Sequence, residues 1–160
     1  PRSTRFPYTP LFRSDPPLGL PDRHVLVASL EEMMDSGGEP VVFVMSVDGF
    51  DAMLDGREET TGALTRELGA RLSRLVRSND LLAVLDPGVF ALAGVGIDQQ
   101  DAAGMLERMR GVCAVPGERE GEFLALSVTV GVSRSGRRTR GAALLEAAES
   151  DLASKLGRQG

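Results

Sequence analysis

Tryptophan is absent from this 160-residue chain, and cysteine, histidine and tyrosine occur once each. The lone Cys113 can form no intramolecular disulfide and cannot build a cysteine-rich metal site. It falls near the apolar face of a predicted helix, so it reads as a small buried hydrophobe rather than a reactive thiol. The lone His24 leaves a histidine-based metal centre or a catalytic triad short of parts. No apolar run approaches the roughly 20 residues of a membrane-spanning helix, and no signal-peptide core opens the chain. A cytoplasmic protein with no membrane contact is expected. Positive charge is in deficit: the net charge is −5, which argues against nonspecific nucleic-acid binding. Lysine is nearly missing too, since the 18 basic residues are Lys155 and 17 arginines.

What is present is ordinary for a globular domain. Hydrophobic residues make up 42% of the chain and charged ones 26%, and 160 residues suffice for one domain with a real core. The pattern alternates helix and strand. Leu26, Leu30, Met33 and Met34 recur at helical spacing and stop at Gly37-Gly38. Val41 to Val47 is a β-branched run that reads as a buried strand. Leu64, Leu68, Leu72, Leu75 and Val76 form one stripe of a long helix. Two apolar runs, Leu81–Leu85 and Val89–Val95, then fold about Asp86-Pro87-Gly88. Pro87 supplies a fixed φ and Gly88 accepts the positive φ that a tight turn needs. Ala102, Met105, Leu106, Met109 and Val112 mark a third helix. Phe123 to Val132 reads as one strand, and Ala142 to Leu156 as a last helix with Leu144, Leu145, Ala148 and Leu152 inward. The order implies an α/β (α+β) domain with a mixed central sheet flanked by helices.

The first 14 residues stand apart. Thr4 to Ser14, TRFPYTPLFRS, resembles the translation of a sequencing adapter, TLFPYTTLFRS, differing only at Arg5 and Pro10. Residues 1–14 are therefore read as a disordered tail and a sequencing artefact, and the functional domain as 15–160.

Five segments of that domain carry a family resemblance. They are DPPLGLPDR (Asp15 to Arg23), VMSVDGF (Val44 to Phe50), RSNDLLAVLDPGVF (Arg77 to Phe90), LSVTVGV (Leu126 to Val132) and ALLEAAESDL (Ala143 to Leu152). In this order and spacing the chain resembles the GGDEF family, whose active members condense two GTP into cyclic di-GMP. The resemblance implies a nucleotidyl-cyclase-like fold, with a mixed central sheet of about five strands flanked by helices. It also shows what has been lost. Family members bind metal through two acidic positions that here are Ser46 and Gly88. A hard divalent cation needs carboxylate oxygens, and the condensation needs that cation. The glycines that approach phosphate are replaced by Asp86 and Pro87. The guanine-reading positions are Leu54 and Ala63, and the lysine position is Asp51. Asp48 survives alone and reads as a strand-end cap, while Phe50 and Phe90 read as packing residues. No catalytic residue, metal ligand or cofactor is expected.

Arg77 and Asp80 form the R-x-x-D pair that, in active relatives, grips cyclic di-GMP at an inhibitory site. An arginine fork suits such contacts. The same two residues also fit a helix end and the cap of the turn that follows it. Two readings of an inactive regulatory domain therefore stand: a cyclic di-GMP receptor using Arg77 and Asp80, or a nucleotide-blind module that forms a homodimer or holds another signalling domain. An active cyclase is the third. Arg134, Arg137, Arg138 and Arg140 crowd a Ser/Gly-rich loop, read as solvated. Gly94-Val95-Gly96 lacks the third glycine and the lysine of a phosphate loop.

Overall fold

The structure is a computed structural model that describes residues 19–50, 58–114, 117–119, 122–124, 126–136 and 139–159. Its elements are α1 (Arg23–Asp35), β1 (Val41–Val47), α2 (Glu58–Ser73), β2 (Leu81–Asp86), β3 (Val89–Gly94), α3 (Gln99–Ala114), β4 (Gly117–Arg119), β5 (Glu122–Leu124), β6 (Val128–Arg134) and α4 (Gly141–Gln159). The proposed tail, residues 1–14, lies outside the described residues, as do Asp51 and Leu54.

Each element follows from local chemistry. Asp22 caps α1, its carboxylate accepting the Val25 N–H at 3.0 Å. The helix ends where Gly37 takes φ +89°. β1 is almost wholly buried and lies inside the sheet, which explains its unbroken apolar run. The sheet order is β2-β3-β1-β6. All three junctions are antiparallel, so the described sheet has four strands and no parallel pair, where a mixed sheet of about five was expected. The reason is topological: α2 carries the chain to β2, which runs parallel to β1 but not beside it, and the hairpin folds β3 back into the gap between them, while β6 returns antiparallel on the other side of β1.

Side chains of β1 alternate between two cores. Val41, Phe43, Met45 and Val47 pack in a cluster with Leu64, Leu68 and Leu72 of α2 and Met105, Met109 and Cys113 of α3. Val42 and Val44 face Leu26 and Leu30 of α1 and Leu144, Leu145, Ala148 and Leu152 of α4. Each such apolar side chain contributes on the order of 1.5–3 kcal/mol by leaving water. Helices therefore cover both faces of the sheet. Gly131 of β6 permits the closest approach, because a Cβ there would meet the α4 backbone at Ala148 and Leu152.

Two sequence expectations change. The run Phe123–Val132 is not one strand: β5 ends at Leu124 and β6 begins at Val128. Between them Leu126 turns into the core, and its N–H donates to the Cys113 carbonyl at 3.0 Å. β5 instead pairs with β4 in a separate two-stranded ribbon. The stripe through Leu75 and Val76 also outruns its helix. α2 stops at Ser73, and tighter i→i−3 bonds carry the chain onward while both side chains still pack on the core.

Candidate functional site

Three segments meet at one end of the sheet. The register sets Ser46 of β1 between Val89 of β3 and Thr129 of β6. The Val47 N–H donates to the Gly88 carbonyl at 3.1 Å, which ties the hairpin turn to the end of β1. Gly88 has φ +74°, as the Pro-Gly turn requires. Its α-hydrogen face is covered by the Phe50 ring: a Cβ built there would lie 2.8 Å from two ring carbons and 2.9 Å from a third. Phe50 is buried at 7% exposure and Phe90 at 0%, so both are packing residues.

Asp48 stands next to this turn, half-buried, with both carboxylate oxygens engaged. Ser127 Oγ donates to Oδ2 at 2.8 Å and Thr129 Oγ1 to Oδ1 at 2.7 Å. The Asp48 N–H also donates to the Ser127 carbonyl at 2.9 Å. The carboxylate thus staples the end of β1 to the start of β6, in keeping with the strand-end cap read from sequence. Ser127 and Thr129 were not legible as its partners, because only the β1–β6 register brings them together. Among the described residues no group of three or more His, Cys, Asp or Glu side chains is placed to hold a metal ion.

Arg77 and Asp80 lie at the opposite end of the sheet, and they touch each other. Arg77 Nε donates to Asp80 Oδ2 at 3.0 Å and Arg77 Nη2 to Oδ1 at 3.3 Å. The Arg77 main-chain N–H adds a bond to Oδ2 at 3.1 Å, and Nη2 also reaches the Val95 carbonyl at 3.4 Å. The Asp80 side chain is 1% exposed, whereas the Arg77 side chain is 53% exposed. Its hydrogen bonds to Asp80, and then the charge of that carboxylate, push the Arg77 guanidinium above its ordinary value. Gly94 is what lets Asp80 sit there, since a Cβ at 94 would meet the carboxylate. The carboxylate that a guanine edge would need faces inward onto its own arginine.

Near this second site two open clefts of about 570 and 620 Å³ share Gly37, Gly38, Glu39 and Ser135. Arg134 and Arg140 line them, already engaged: Arg134 Nη1 donates to the Ile97 carbonyl at 2.7 Å, and Arg140 pairs with Glu31. Arg137 and Arg138 lie outside the described residues. With Asp35, Glu39 and Asp98 on the same walls, the clefts carry both signs of charge. Elsewhere His24 is exposed, and Cys113 is buried beside Met45, its thiol pushed up to about 11 by burial.

No protein-family model matches the chain, and no curated protein matches it. Solved structures do. A sensory box/GGDEF family protein from Caulobacter crescentus is 27% identical with a TM-score of 0.76, covering 91% of this chain and 98% of that one. The diguanylate cyclase SiaD from Pseudomonas aeruginosa, solved with its activator SiaC, is 25% identical with a TM-score of 0.79. That match covers 91% of this chain, which spans 58% of SiaD. The GGDEF domain of DgcB from Caulobacter crescentus, solved with c-di-GMP, shares the fold at 22% identity and a TM-score of 0.76, over 89% of this chain and 90% of that one. Fold and neighbours together show a GGDEF-like domain.

Proposed function

We propose that this domain is a catalytically inactive GGDEF-like regulatory module of bacterial, cytoplasmic signalling, and that it works without nucleotide by holding a second copy or another signalling domain. The observation that carries inactivity is the turn. Where active relatives carry an acidic side chain, Gly88 has none, and on this backbone a Cβ there would meet the Phe50 ring. Ser46 offers only a hydroxyl, and Asp48 is already bonded to Ser127 and Thr129. A lone, satisfied carboxylate does not offset the dehydration of a magnesium ion or neutralise a leaving pyrophosphate.

Blindness to nucleotide is supported by Asp80, buried and turned onto Arg77. A ligand taking that carboxylate must first break the chain's own ion pair. The half-exposed Arg77 side chain favours the other reading, in which it grips a dinucleotide phosphate. Two measurements test these readings. Incubation with GTP and magnesium should yield no cyclic dinucleotide, and a clean time course of product would overturn inactivity. Calorimetry with cyclic di-GMP should give no binding heat. Binding that vanishes in Arg77→Ala would establish the receptor instead.

A further inference from the structure

Strand β6 is an outer strand of the described sheet, and its first six residues, Val128 to Ser133, are uncharged and mostly β-branched. An uncharged edge of this kind is a ready template for another strand. Here two of its outward main-chain groups are already bonded to side chains. Asp151 Oδ2 accepts the Val132 N–H at 2.9 Å, and Lys155 Nζ donates to the Val130 carbonyl at 2.8 Å. The two side chains pair with each other at 3.1 Å, four residues apart on α4. Groups on residues 130 and 132 point to the same side of a strand, away from β1. Lys155 is the only lysine in the chain. The other outer strand, β2, is met by the lead-in segment: the Val84 N–H donates to the Pro21 carbonyl at 3.0 Å.

We propose that Asp151 and Lys155 form a two-residue plug on β6, which prevents a second copy of this chain from adding its own β6 across a twofold axis. The plug works by replacing two interstrand hydrogen bonds with charge-assisted ones from the same chain, so an incoming strand must displace an ion pair before it gains a ladder bond. Gly131 is part of the device. Without its bare backbone α4 would stand too far from β6 for either side chain to reach over the edge. The consequence for partners is specific: this domain meets them through helices or loops, not by strand addition at β6. This inference involves no nucleotide and stands independently of the inactivity argued above.

The test removes the plug with Asp151→Ala plus Lys155→Met, with Asp151→Asn as control because its amide oxygen still accepts the Val132 N–H. Sedimentation from low to high micromolar concentration should show new self-association in the double variant only. At low concentration the Val132 amide should exchange with solvent roughly tenfold faster than in the unsubstituted chain, and become protected again as the dimer fills. Two results overturn the proposal: an oligomeric state matching the unsubstituted chain at every concentration, or a dimer that leaves the Val132 amide exposed. Should the double variant not fold, Lys155→Met alone carries the test. Association at higher concentration is then the expected result, and unchanged sedimentation overturns the plug.

Discussion

Replacing Gly88 with alanine should destabilise the domain by about 2–5 kcal/mol, through two separable causes. The first is backbone. Gly88 has φ +74°, and a residue with a Cβ pays about 1–2 kcal/mol in that region. The second is steric. The new methyl would sit 2.8 Å from ring carbons of Phe50, which is buried in the same cluster as Phe90 and Leu92 and has little room to retreat. Overpacking of this kind costs about 1–3 kcal/mol. A double-mutant cycle with Phe50→Leu separates them by urea denaturation at constant m-value. If Phe50 is the obstacle, the double variant should be about 1–3 kcal/mol more stable than the sum of the single losses. The remaining loss is the backbone part, and Gly88→Asn should reduce it, since asparagine tolerates positive φ. Additive single effects, or a Gly88→Ala loss below about 1 kcal/mol, would refute the account of a blocked turn. The same reasoning predicts that Gly88→Asp with Ser46→Asp will not recover magnesium binding by calorimetry, because the restored carboxylate has no space to point into the site.

Three shorter predictions follow from close contacts and one titration. Gly131→Ala should cost about 3 kcal/mol or more in thermal or chemical melts, because its methyl would meet helix backbone, 2.8 Å from the Leu152 Cα, rather than a movable side chain. Gly94→Ala should displace the Asp80 carboxylate, whose Cγ lies 3.0 Å from the built Cβ, and lower stability by about 1–3 kcal/mol; an unchanged denaturation midpoint would contradict it. Cys113, with its thiol pushed up to about 11, should resist alkylation at pH 8, where a free cysteine reacts readily. The folded pKa lies above the unfolded one, so this group's contribution to stability is complete at low pH and declines as pH rises from about 8.5 towards 11. Rapid labelling of the native protein at pH 8 would contradict its burial.

The four helices and the main hairpin were legible because each is written locally. Leu26 and Leu30 repeat at helical spacing, Val41 to Val47 is an uninterrupted β-branched run, and Pro87-Gly88 encodes its turn with one fixed φ and one positive φ. The break between Leu124 and Val128 was not legible, because FLALSVTVGV carries no charge, proline or turn pair at that point and only the inward turn of Leu126 divides it. Position 88 could be recognised as lacking an acid from sequence alone. That Phe50 fills the space above it could not, since the two residues are 38 positions apart and meet only through packing.

Asp48 and the Arg77–Asp80 pair draw the same boundary. Residue type and spacing determined by themselves that one carboxylate survives near the turn and that an arginine precedes an aspartate by three. Which groups those charges serve was decided by the tertiary structure: β1–β6 register hands Asp48 to Ser127 and Thr129, and a bare Gly94 lets Asp80 sink onto Arg77. The plug on β6 belongs wholly to that second class, because a helix side chain reaches a strand's main chain only after both have docked. Local periodicity depends on neighbours in the chain, while hydrogen-bond partners and filled space depend on neighbours in three dimensions.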